Sequence, residues 1–102
     1  MYTLIITAKA DEQLRDIILY REEITGSTLS ALKLLDKIEA GLTELKDFPD
    51  MGSHPRYFAL RQRGYRVLII EKYLVFYKPD YDNKAIIIYA VVDGRRDYLN
   101  LI

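Results

Sequence analysis

Arg66-Val-Leu-Ile-Ile70, Tyr73-Leu-Val-Phe-Tyr-Lys78 and Ala85-Ile-Ile-Ile-Tyr-Ala-Val-Val92 follow one another with only short polar breaks between them. Each run is rich in β-branched and aromatic residues, which suit a pleated, half-buried strand. Glu71-Lys72 is short enough for a tight turn, and Asp80-Tyr81-Asp82-Asn83-Lys84 carries residues that favour a second. The stretch therefore reads as three strands in an antiparallel meander. Gly94 breaks the last of them and leaves Arg95 to Ile102 as a short tail.

Upstream of this meander the period changes. Tyr2 to Ile6 is a short β-rich run. Thr7 can then cap a helix, with Asp11 and Glu12 in early turns where the helix dipole favours carboxylates. Leu14, Ile17, Ile18 and Ile24 recur at helical spacing, and Thr25-Gly26 closes that segment. Ser27 or Thr28 starts a second helix, whose expected apolar stripe is Leu29, Leu32, Leu35, Ile38, Leu42 and Leu45. Phe48-Pro-Asp-Met-Gly-Ser-His-Pro55 reads as a loop. The order β-α-α-β-β-β gives an α+β fold: a helical hairpin packed on one face of a small, mainly antiparallel sheet. With 102 residues, one domain over 1–102 is expected.

Composition narrows the chemistry. The chain has no cysteine and one histidine, His54, so thiolate chemistry and multi-histidine metal sites are excluded. The longest fully apolar stretch, Ala85 to Val92, is too short for a membrane span, and the first residues do not read as a signal peptide. A cytoplasmic protein without a cofactor or metal is expected. Phosphate-binding glycine loops and a nucleophile elbow are absent from the sequence.

Charge is balanced only in sum. Residues 1–50 hold six basic and ten acidic side chains, a net of −4, whereas residues 51–102 hold nine and five, a net of +4. The basic excess is mostly arginine (Arg56, Arg61, Arg63, Arg66, Arg95 and Arg96), and the guanidinium fork suits phosphate or carboxylate oxygens. The chain has nine tyrosines. Strand alternation sets Tyr73, Val75 and Tyr77 on one side and Leu74, Phe76 and Lys78 on the other. Helices cover one face only, so a tyrosine face bearing Tyr73, Tyr77 and Tyr89 is expected to stay open to a target or partner, together with Arg61, Arg63, Arg95 and Arg96. Tyr98 lies beside Arg95 and Arg96, and two cations would favour its phenolate.

The order of elements, the Phe48-Pro-Asp-Met-Gly52 loop, Tyr73-Leu-Val-Phe-Tyr77 and the closing Gly94-Arg-Arg-Asp97 together resemble the RelE/ParE superfamily of bacterial type II toxins. The resemblance spans essentially the whole chain. It implies a growth-arresting toxin bound by a cognate antitoxin. RelE-like members cut ribosome-bound mRNA without a metal, whereas ParE-like members inhibit DNA gyrase and are not known as nucleases. For a RelE-like endoribonuclease, the matching catalytic positions would be Arg66, Arg95 or Arg96, and Tyr98. Leu68 and Leu74 stand where that pattern has a lysine and an arginine, and the chain ends on Leu101-Ile102 rather than a His-Tyr pair. The loop, the long hairpin and the Gly-Arg-Arg-Asp ending look more like ParE. A small interaction module without toxicity is the remaining alternative, and it predicts no growth arrest on expression.

Overall fold

A computed structural model describes residues 1–102. Strand β1 (Thr3–Ile6) leads into helices α1 (Ala8–Thr25) and α2 (Thr28–Leu45); a short helix α3 (Phe58–Gln62) precedes β2 (Arg66–Ile70), β3 (Tyr73–Asp80) and β4 (Ala85–Asp93). The sheet order is β1-β4-β3-β2. The β2-β3-β4 meander is antiparallel as read from the sequence, and β1 joins it parallel to β4, with Thr3 opposite Ala85 and Ile6 opposite Ile88.

Local chemistry sets the helix ends. The Thr7 hydroxyl accepts from the Ala10 N–H at 3.2 Å, and the Ser27 hydroxyl accepts from the Ser30 N–H at 3.1 Å. Gly26 closes α1 at φ 64°, a left-handed geometry that glycine adopts without a side-chain clash. The buried face of α2 is Ala31, Leu34, Ile38, Leu42 and Leu45. Leu29 and Leu32, expected in that stripe, are exposed instead. Successive steps of three residues drift backward around a helix, so Leu29 ends about 180° from Ile38. Leu34 is only about 40° away from it.

The main core lies between the helices and the sheet, where Leu14, Leu34, Ile38, Leu42 and Leu45 meet Tyr73, Val75, Tyr77, Ile86 and Ile88. This corrects the expected tyrosine face. Tyr73 and Tyr77 are 4% and 0% exposed and point at the helices. The better sign of the outer side was Lys78, the lone charge in the alternate set. That outer side is not bare either. Helix α3 and the C-terminal turn Leu99–Leu101 fold over it, and Leu60, Val67, Phe76, Ala90, Val92 and Tyr98 form a second, smaller core there.

The loop before α3 is latched to the sheet. The Gly52 N–H donates to the Tyr77 hydroxyl at 3.0 Å, and that hydroxyl donates to the Pro49 carbonyl at 2.8 Å. A side chain at Gly52 would sit 2.6 Å from the Tyr77 oxygen and 2.8 Å from the Val67 carbonyl, so only glycine fits. Arg66 completes the latch, donating through Nη2 to the carbonyls of Asp50 (2.8 Å) and Gly52 (2.7 Å).

Across the sheet, the β2–β3 turn is pinned by charge. Glu71, at φ 54°, accepts from Arg21 of α1 at 3.2 Å and Lys37 of α2 at 3.1 Å. Lys37 first, then Arg21, holds the Glu71 carboxyl below its ordinary range. A depressed folded-state value gives stability that is present above the unfolded carboxylate range and lost as pH falls through the folded one. Glu71→Gln should therefore cost under about 1 kcal/mol near neutral pH, as expected for partly exposed pairs. Urea unfolding of the two proteins should converge as the pH drops below the usual glutamate range.

Candidate functional site

The residues singled out from the sequence separate into two regions. The first is a groove of about 800 Å³ between α1 and the end of β4. The α1 wall is mainly apolar, with Ile17, Tyr20 and Ile24 beside one carboxylate, Asp16, and the other carries Lys72, Arg95 and Arg96. Gln13 holds the base of this groove: its side chain accepts from the Val91 N–H and donates to the Leu101 carbonyl, each at 2.9 Å. Asp93, ending β4, accepts from the Arg95 backbone N–H at 2.9 Å and from Arg95 Nη2 at 3.2 Å, and lies 3.8 Å from Lys72 Nζ. The Arg95 contact in particular holds the Asp93 carboxyl below its usual range. Arg95 is thus engaged by a carboxylate, whereas Arg96 is exposed and forms no ion pair.

The second region is the outer side of the sheet. A bulge breaks the β3–β4 register between Phe76 and Tyr77: Phe76 pairs with Ala90 and Tyr77 with Ile88, which leaves Tyr89 without a partner. The extra residue re-aims its side chain. The Tyr89 ring meets the Tyr65 ring edge-on at 5.5 Å, and Lys78 Nζ lies 4.4 Å from the Tyr65 centroid and 5.2 Å from that of Tyr89. Arg61 lies over the exposed Phe58 ring at 5.7 Å and donates to the Pro55 carbonyl at 3.2 Å; Arg63, at the end of α3, is exposed. Phe58, Tyr65 and Lys78 were not picked out from the sequence as site residues. The available signal was the run Met51 to Ile70, which has four arginines and no carboxylate.

The residues matching a RelE-like catalytic set do not come together. Arg66 pairs with Tyr77 across the β2–β3 ladder and shares its face, the helix side. Tyr98 packs against Phe76 at 5.5 Å and Tyr57 at 5.6 Å on the opposite face. One phosphate cannot be reached from both sides of a sheet. The charge state of Tyr98 also runs against the expected phenolate. Burial is the main cause that pushes its hydroxyl pKa up, and Arg56 only partly offsets it. No helix is long and apolar enough to cross a membrane, and no three His, Cys, Asp or Glu side chains are placed to hold a metal ion.

Comparison with known proteins yields one family and one shared fold. A family model described as the ParE toxin of the type II toxin–antitoxin system, parDE, matches residues 4–98. No curated protein sequence matches the chain. Among solved structures, a chain described as "Chromosomal ParDE TA system from P. aeruginosa" superposes with a TM-score of 0.74 at 22% identity. The match covers 91% of this chain and 96% of that one. At that identity the likeness is one of fold.

Proposed function

The chain belongs to the ParE toxin family of type II toxin–antitoxin systems, and from that premise we propose that it arrests growth by inhibiting DNA gyrase and is held silent by a cognate antitoxin. The family match over residues 4–98 carries this reading. The separation of Arg66 and Tyr98 onto opposite faces weighs against a RelE-like cut of ribosome-bound mRNA. The antitoxin reading is supported by the groove beside α1. Its apolar wall and its basic wall suit an acidic amphipathic segment, with Arg96 able to meet a carboxylate. The cytoplasm, where gyrase acts, is the proposed location.

The test is induced expression in a bacterium with pulse labelling of new DNA and new protein in parallel. DNA synthesis is expected to fall first, and co-expression of the antitoxin should restore it. An early fall in protein synthesis with DNA synthesis intact would overturn the gyrase assignment in favour of mRNA cleavage. Absence of any growth defect would overturn the toxin activity itself and leave an interaction module.

A further inference from the structure

The basic residues on the outer side of the sheet have no carboxylate partners. Every ion pair in the molecule involves Arg15, Arg21, Lys37, Lys72 or Arg95, so Arg56, Arg61, Arg63 and Lys78 form none. All four belong to α3, its flanks, or the strand beneath it. Tyr65 joins the two parts: it follows Arg63 by two residues and carries Lys78 over its ring. Lys78 is held between two tyrosine rings, which limits its freedom while leaving it without an ion-pair partner. Asp80 and Asp82 line a shallow pocket together with Lys78 and Tyr89, but neither pairs with the ammonium; Asp80 is turned into the β3–β4 turn and accepts from Asn83.

We propose that this α3 face is a nucleic-acid binding site: Arg56, Arg61, Arg63 and Lys78 contact phosphates of the backbone, and the exposed ring of Phe58 lies beside an unpaired base. Four cations that form no ion pair, on or beside α3 and on the strand beneath it, are the electrostatic footprint of a polyanion site. An acidic protein segment fits less well. Such a segment brings apolar side chains that need a trough, and the apolar grooves of this molecule lie elsewhere, along α1. On the outer side the large exposed apolar side chains, Phe58 (62%), Ile69 (61%) and Leu99, belong to three separate elements rather than to one trough. A phosphate backbone has charge without an apolar side, and an aromatic ring beside it offers stacking to any base. The inference goes beyond gyrase inhibition and does not require it, because binding is read on the purified chain alone.

The experiment is fluorescence anisotropy of the full chain with a labelled 20-nucleotide single-stranded DNA, the same sequence as RNA, and the DNA duplex. Titrations at several salt concentrations would be paired with a 20-residue poly-glutamate competitor. Binding to single strands is expected to weaken with salt at a log–log slope of about −3, from about −0.7 per neutralised phosphate. Arg63→Gln with Lys78→Gln should weaken binding at least tenfold and bring the slope to about −1.5, while Arg15→Gln on α1 should leave both unchanged. The tighter of the two single strands identifies the sugar recognised, and tighter binding of the duplex than of either would overturn the stacking of an unpaired base on Phe58. Arg63→Gln alone, at an exposed position without a bonded partner, keeps the test valid should the double variant fail to fold, and a threefold loss is expected from it. Absence of binding at 50 mM salt, binding that Arg63→Gln leaves intact, or displacement by poly-glutamate at equal charge concentration would each overturn the proposal.

Discussion

Tyr77→Phe is expected to destabilise the protein by about 1–3 kcal/mol, and Tyr77→Ala by about 3–5 kcal/mol. The phenylalanine variant keeps the ring in its fully buried seat but leaves the Gly52 N–H and the Pro49 carbonyl without their partner. An unpaired buried polar group loses its desolvation energy in full, so the cost exceeds that of an ordinary exposed hydrogen bond. The alanine variant adds a cavity in the main core. Urea unfolding checks both values. A cost for Tyr77→Phe below about 0.5 kcal/mol, the usual range for a surface change, would show that the loop is not latched through this hydroxyl.

The second large effect lies on α2. Leu34→Ala should cost about 2–5 kcal/mol, since Leu34 is 1% exposed within the main core. Leu32→Ala, two residues away and half exposed, should change stability by no more than about 0.5 kcal/mol. The pair measures which side of the helix faces the sheet. Equal costs from the two would mean that α2 is turned about its axis, with Leu32 brought toward the sheet.

These two residues also mark how far the sequence could be read. The β-branched and aromatic runs from Arg66 to Val92 and the capping residues Thr7 and Ser27 are local signals, and the meander and both long helices form where those signals lie. The facing of α2 was harder, because leucine occurs all round its first half and spacing by threes is compatible with two different stripes. The facing of β3 was harder still. Both of its alternate sets are apolar apart from Lys78, so tyrosine content pointed to the wrong side. Burial of the outer side depended on α3 and the C-terminal turn, five and three residues long, too short to show a period. At the candidate site, the cluster of unpaired cations was visible as a charge bias in the sequence. The bulge that turns Tyr89 toward Lys78 was not, since it depends on the pairing of two strands.

The parallel pairing of β1 with β4 has a consequence for how the toxin comes into being. Thr7 and Tyr89, joined across this seam, are 82 residues apart, and β4 is also the strand against which α1 packs most extensively. During translation the helical hairpin can emerge and collapse early, but its main platform is still inside the ribosome. Contacts this distant along the chain form late and slowly. A nascent or prematurely terminated chain that lacks Ala85–Asp93 therefore misses Ile86, Ile88 and Val91 of the main core, Ala90 and Val92 of the second, and the only partner of β1. A ribosome that stalls before the final strand is thus expected to release a chain with both cores incomplete rather than a shorter working toxin.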